Sequence, residues 1–292
     1  MNMKTLYYYK VAEHVFSLDL GTQGDLKSKL QQYEPFAVDS TEHATFHLEV
    51  ADTPFSTEGF QEEIHQEDEG QEILAGHLPG GEPCFEFRLG GKRVAILISN
   101  MDYRKARVCL EKEPLFGINN AIMIMYALAT ATSRTALFHS SVVSYKERAY
   151  MFLGHSGTGK STHSSLWLKH IEGTELVNDD NPVVRINDQN EVRVYGSPWS
   201  GKTPCYRNVS YPVGSIVKLD QAPYNKIKPL KGIKAYAAVL PSISGKRWDK
   251  ELAGGLHETE NLIAQLVPIW HLDCLPDEAA AQLCCKTCTD EH

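Results

Sequence analysis

The residues Gly154-His155-Ser156-Gly157-Thr158-Gly159-Lys160-Ser161 have the spacing G-x-x-x-x-G-K-[ST]. A loop of that composition can cradle the phosphates of a nucleotide with its backbone N–H groups. Glycines let the chain close around phosphate oxygens, and a helix starting at the end of the loop adds partial positive charge. Lys160 would reach the β- and γ-phosphates, and the Ser161 hydroxyl would sit on Mg²⁺. About twenty residues beyond Lys160 comes Asp179-Asp180. On a strand next to the loop strand, these acids would supply the second site a bridging Mg²⁺ needs. One would hold the metal while the other takes the proton from an attacking hydroxyl. A solvated Asp-Asn turn before Pro182 is the competing reading.

Other reactive side chains are less decisive. His139 lies on the run before the loop strand and could point into the same crevice, but a lone histidine also serves as a satisfied structural residue. Lys202, between Gly201 and Thr203, could neutralise charge on a transferring phosphoryl group or be an exposed loop lysine. Lys246 and Arg247 carry the same ambiguity, with the surface reading the stronger. Cys284-Cys285-Lys286-Thr287-Cys288 invites zinc, yet a structural zinc needs about four ligands. Only Cys274 and His292 stand nearby, so these read as core-facing and tail thiols.

The flanks of the loop suit its task. Tyr150 to Leu153 is a short apolar run that reads as a buried strand, and Ser161 to His170, free of Gly and Pro, reads as a helix. Glu175 to Asp180 reads as a strand ending in the acid pair. Pro182 to Ile186 and Glu191 to Tyr195 form a hairpin around Asn187-Asp188-Gln189-Asn190. Ser215 to Leu219 and Pro268 to Leu272 are further strands, and Asp277 caps a final helix through about Cys285. Residues 118 to 133 are apolar on most faces, which predicts a buried helix.

Residues 1 to about 110 read as β-rich, with strand-like runs at Leu6 to Val11, Thr45 to Val50, Cys84 to Leu89 and Val94 to Ile98. Between them, Glu58 to Glu72 reads as a solvated acidic loop or helix face. The change of pattern sets two domains, a β-rich N-terminal module at 1–114 and an α/β nucleotide-binding domain at 115–292.

The totals narrow the class. The chain has 292 residues, 42% hydrophobic and 23% charged, as in ordinary globular proteins. A net charge of -8 without a basic stripe argues against a nucleic-acid partner. No apolar run is long enough to span a bilayer, and the N-terminus carries no secretory signal. Seven cysteines, an odd number, fit a reducing cytoplasm.

Three stretches together, His139-Ser140-Ser141-Val142-Val143, the loop at 154–161 and Asn178-Asp179-Asp180, resemble the kinase domain of bacterial HPr kinase/phosphorylase. They also resemble its looser relatives, the HPr-kinase-like proteins encoded with peptide-modification systems. The resemblance covers roughly residues 115 to 289. It implies an α/β fold of the phosphoenolpyruvate-carboxykinase-like nucleotide-binding type with a mixed sheet. It also implies that His139 is an active-site residue, that Lys160 and Ser161 bind phosphate and metal, and that the acid pair includes the base that activates a serine hydroxyl. Asp180 is the expected base and Asp179 its metal-side partner, though the order could be reversed. The family's arginine- and glutamate-containing segment has no counterpart here; Trp199-Ser200-Gly201-Lys202 occupies its region.

The resulting expectation is an ATP-dependent kinase that moves the γ-phosphoryl group to a hydroxyl of a protein, peptide or small molecule. Its catalytic residues would be His139, Lys160, Asp179, Asp180 and Lys202. The nucleotide would contact Gly154, His155, Ser156, Gly157, Thr158, Gly159, Lys160, Ser161 and Thr162. Ser161, Asp179 and Asp180 would hold Mg²⁺. ATP and the acceptor are the expected partners, with a homo-oligomer left open. Two alternatives stand beside this reading, a nucleotide-binding regulatory protein without transfer and a carboxykinase acting on a small organic acid.

Overall fold

The structure, a computed structural model, describes residues 6–39, 43–201 and 203–289. The chain divides into two compact units, Met1–Thr130 and Ala131–His292.

The first unit is built on a nine-stranded mixed sheet. Its strands are β1 (Leu6–Val11), β2 (His14–Asp19), β3 (Ala37–Val38), β4 (Phe46–Val50), β5 (Gln61–Asp68), β6 (Gln71–His77), β7 (Pro83–Leu89), β8 (Lys92–Ser99) and β9 (Lys105–Leu110), ordered β3-β1-β2-β4-β9-β8-β7-β6-β5. Among the described residues two α-helices accompany it, a short α1 (Leu26–Lys29) and the long α2 (Pro114–Thr130). Aromatic side chains that are register partners on neighbouring strands β1, β2 and β4 fuse one end of the sheet. Phe16 and Phe46 stack with ring centroids 5.0 Å apart, and Tyr9 packs 5.5 Å from Phe16. Helix α2 lies on β8, β9 and β4. Gly117 allows the close approach, since a Cβ there would sit 2.7 Å from the Ala95 methyl. The buried Tyr126 hydroxyl donates to the Val11 carbonyl at 2.9 Å, so its polar tip is satisfied.

Two expectations change here. Glu58 to Glu72 is not a loop or helix face but holds β5, which turns into β6. As the edge strand, β5 is exposed along nearly its whole length, so no apolar alternation marks it in the sequence. The units part at 130/131, beyond the change of pattern at 114/115. Helix α2 buries its apolar side against the N-terminal sheet, and an all-round apolar helix does not reveal which neighbour it covers.

The second unit also has a nine-stranded mixed sheet. It comprises β10 (Thr135–Leu137), β11 (Ser140–Tyr145), β12 (Arg148–Leu153), β13 (Glu175–Asp180), β14 (Val183–Ile186), β15 (Val192–Tyr195), β16 (Ser210–Gln221), β17 (Lys226–Leu230) and β18 (Ile269–Cys274). The helices are α3 (Lys160–His170), α4 (Ile233–Val239), α5 (Lys250–Leu266) and α6 (Glu278–Thr289). The order is β10-β14-β15-β16-β12-β11-β13, with β18 also paired to β16 and β17 to β18. Strand β16 is the hinge of the arrangement. Its first residues pair antiparallel with β15, and its later ones run parallel to both β12 and β18.

One face of this sheet is covered by α3 and α6, which bury Trp167, Cys284 and Cys288 against Tyr150, Phe152, Val217, Leu219, Trp270 and Leu272. Cys284 and Cys288 are thus core residues four apart on one helix face. Asp277 accepts from the Ala280 amide at 2.8 Å and caps α6. Asp249 caps α5 through the amides of Glu251 and Leu252. Arg247 is tied to Glu260 at 2.7 Å and to the carbonyls of Leu240 and Ile243, a structural use rather than a free phosphate-facing cation.

Candidate functional site

Strand β12 ends at Leu153, the chain turns through Gly154 to Gly159, and α3 begins at Lys160. Gly157 (φ 76°) and Gly159 (φ 108°) adopt backbone conformations that side chains resist, so the turn needs glycine there. As N-cap, Gly159 offers no side chain, and no side-chain hydrogen bond caps α3. The first turn of this eleven-residue helix therefore receives no side-chain cap from Gly159. His155, Ser156, Gly157, Ser161 and Thr162 are exposed around this mouth, with Gly154 and Thr158 half-buried.

The sheet brings the acids to the same edge. Strand β11 is antiparallel to both β12 and β13, so β12 and β13 run in one direction and their carboxyl ends lie together. That edge is where open α/β sheets bind ligands. The acid strand is not adjacent to the loop strand, as the sequence suggested, because β11 lies between them. His139 sits in the break before β11, and so at the same edge.

A chain of polar contacts joins three of the expected residues. The Lys160 ammonium donates to His139 Nε2 at 2.8 Å and to the carbonyls of Gly154 and His155 at 3.0 and 3.3 Å. His139 Nδ1 lies 3.1 Å from Asp180 Oδ1. A lysine ammonium can only donate, so Nε2 must be the accepting nitrogen, and a neutral ring then carries its proton on Nδ1, the nitrogen at ion-pair distance from Asp180. One imidazole ring thus separates the ammonium from the carboxylate. Asn181 donates to the other Asp180 oxygen at 2.8 Å, which fixes its rotation.

The two acids have different surroundings. In the β11–β13 register Asp179 stands opposite Ser141 and Asp180 opposite Ser140. Ser141 contacts Ser164 of α3 at 2.5 Å, so Asp179 shares the face covered by the loop helix and Asp180 the other face. Asp179 is 4% exposed, whereas the Asp180 side chain is 31% exposed. Lys202 lies outside the described residues.

Several positioning residues carried no signal in the sequence. Gly201 packs against the acid pair: its amide donates to the Asp179 carbonyl at 2.8 Å, and a Cβ there would meet that oxygen at 2.9 Å. Buried Asn178 donates to Ser197 Oγ and to the Trp199 carbonyl, each at 3.2 Å, which clamps this loop onto β13. Gln221, at the end of β16, donates to the Gly157 and Thr158 carbonyls at 3.2 and 3.3 Å and steadies the glycine turn. None of these follows from spacing, since each depends on a contact between distant segments.

His163, one turn into α3, is buried, and that burial lowers its pKa to about 4. The Trp167 indole N–H donates to its Nε2 at 3.2 Å, which also requires a neutral ring. The unfolded chain takes up this proton near the ordinary pKa of about 6.5, and the folded one only near 4. Stability is therefore fully present above about pH 6.5 and falls as the pH drops towards 4, by up to about 1.4 kcal/mol per pH unit. Urea unfolding at pH 7 and pH 5 should give a smaller loss for His163→Phe than for wild type; equal losses would refute the assignment.

Neither a protein-family model nor a curated protein matches this chain. Among solved structures, the HPr(Ser) kinase/phosphatase from Coxiella burnetii is similar at a TM-score of 0.31 and 11% identity, over 53% of this chain and 95% of that one. So low a score carries no argument about activity, which must rest on the residues themselves. Among the described residues no helix is long and apolar enough to cross a membrane.

Proposed function

We propose that the second unit is an ATP-dependent kinase of the HPr-kinase-like type, with a phosphoenolpyruvate-carboxykinase-like nucleotide-binding domain, acting on a hydroxyl of a protein, peptide or small molecule. The observation that carries this reading is the Lys160–His139–Asp180 chain at the start of a helix that no side chain caps. A cation for the phosphates and a carboxylate for the acceptor proton stand one imidazole apart.

The residues suit the groups such a reaction requires. The N-terminus of α3, which no side chain caps, and the Lys160 ammonium favour a polyphosphate. Ser161 and Asp179 share the α3 side and would hold Mg²⁺, which supplies charge neutralisation on the phosphates. In the transfer, a bond forms between the acceptor oxygen and the γ-phosphorus while the γ-phosphorus–bridging oxygen bond breaks, and ADP departs. Asp180, the more exposed acid, takes the hydroxyl proton. The His139 ring stands beside that carboxylate at 3.1 Å, and the Asn181 amide holds its second oxygen. Catalysis is then placement plus charge compensation. On this reading the loop region containing Lys202 would add a further cation.

Asp180→Asn keeps the shape and removes the base. With γ-labelled ATP and a panel of hydroxyl acceptors, transfer should fall on the order of a hundredfold while nucleotide affinity stays near wild type. Undiminished transfer would remove Asp180 from the mechanism.

One observation favours a second reading, nucleotide binding without transfer. The three hydrogens of the Lys160 ammonium match three acceptors already in contact, two of them carbonyls of its own loop. Tight ATP binding with no transfer to any acceptor would decide for it.

A further inference from the structure

A second convergence of ligating side chains lies at the same sheet edge, on β16 and β18. These strands run parallel with Lys218 opposite His271 and Asp220 opposite Asp273. Val217, Leu219, Trp270 and Leu272 alternate with them and enter the core beneath α3 and α6. Strand period therefore places Lys218, Asp220, His271 and Asp273 together on the opposite face. His271 Nε2 is 2.7 Å from Asp220 Oδ2 and 3.4 Å from Asp273 Oδ1, and one ligand atom from each residue lies within 4.8 Å of the others.

The same imidazole nitrogen is hydrogen-bonded to Asp220 and stands at ion-pair distance from Asp273, so three potential ligand atoms converge on one point. A cation bound at about 2.0 to 2.2 Å from each would need ligand atoms roughly 3 to 3.5 Å apart; the Asp273 contact to Nε2 at 3.4 Å already lies in that range and the Asp220 contact at 2.7 Å just below it. Lys218 Nζ rests on the same Asp220 oxygen at 2.9 Å, and Lys228 lies 4.0 Å from Asp273. The lysines offset the acids here, and Lys218 occupies the oxygen that a metal would take.

We propose that Asp220, His271 and Asp273 form a binding site for one divalent first-row transition cation, with Lys218 as an internal competitor for Asp220. Two carboxylate oxygens and an imidazole nitrogen suit Mn²⁺, Fe²⁺ or Zn²⁺ and leave further coordination positions for water or substrate. Binding exchanges the Nε2 proton for the cation and releases that proton to solvent. The site shares no ligand with the nucleotide reading and does not depend on it.

The test uses the full chain, treated with chelator, without nucleotide, and titrated with MnCl₂ while free Mn²⁺ is followed by electron paramagnetic resonance. Mn²⁺ is chosen because it avoids thiols, of which the chain has seven. One Mn²⁺ should bind per chain. His271→Ala and, separately, Asp273→Asn should weaken it about tenfold or more, with circular dichroism confirming the fold. Lys218→Ala should tighten binding several-fold, a sign that a purely structural ion-pair network does not give. His65→Ala, which removes an exposed His–Glu pair on β5 and β6 of the first unit, should leave it unchanged. Absence of binding at millimolar Mn²⁺, wild-type affinity in His271→Ala, or weaker binding in Lys218→Ala would each overturn the proposal.

Discussion

Lys160→Ala should lower phosphoryl transfer by about a thousandfold and weaken ATP binding as well. Removing one preorganised charge-stabilising donor from an active site costs about 10²–10³ in rate. Lys160 is a full charge, 9% exposed, and held by two loop carbonyls and His139, so its position is fixed before any ligand arrives. The same substitution removes the donor to His139 Nε2 and so frees the ring that orients Asp180. Binding and catalysis should therefore fall together, unlike the Asp180→Asn variant, in which affinity persists. Isothermal titration with ATP, beside the transfer assay, distinguishes the two patterns. Wild-type affinity in Lys160→Ala would mean that the glycine turn does not hold the phosphates.

Trp167→Ala should destabilise the second unit by about 3–5 kcal/mol, the usual cost of truncating a large buried aromatic. Trp167 is fully buried, with its ring 5.2 Å from Tyr150 and 5.6 Å from Phe152, and its indole N–H is bonded to His163. It anchors α3 two turns beyond Lys160, so the helix that carries the lysine is fixed to the sheet at this point. Urea unfolding followed by circular dichroism should show the loss, with the adjacent and more exposed Leu168→Ala as a control expected to cost much less. A loss below about 1 kcal/mol would mean that α3 is held elsewhere.

Much of the candidate site was legible from residue types alone, and the reason is that it is local. The glycines dictate where the backbone can take positive φ, and Lys160 follows them as the first residue of α3. The strand that precedes the turn and the strand that ends in Asp179-Asp180 both show as short apolar runs with polar ends. The ambiguity of His139 could not be resolved that way. Whether it is a structural residue or part of the site depends on Lys160 and Asp180 reaching it from different elements. The exposed edge strand β5 and the helices α4 and α5 were not foreseen either. An edge strand need not alternate, and helices that pack by one narrow side leave few apolar positions to count.

The sequence by itself determined a glycine turn between strand and helix with a lysine at the helix start, because those preferences act within a few bonds. Tertiary structure alone decided that β11 separates the loop strand from the acid strand, that Gln221 holds the turn, and that Asp220, His271 and Asp273 converge. Those arrangements depend on strand order and register, which are set by which faces bury against α3 and α6 rather than by any residue's own conformational preference.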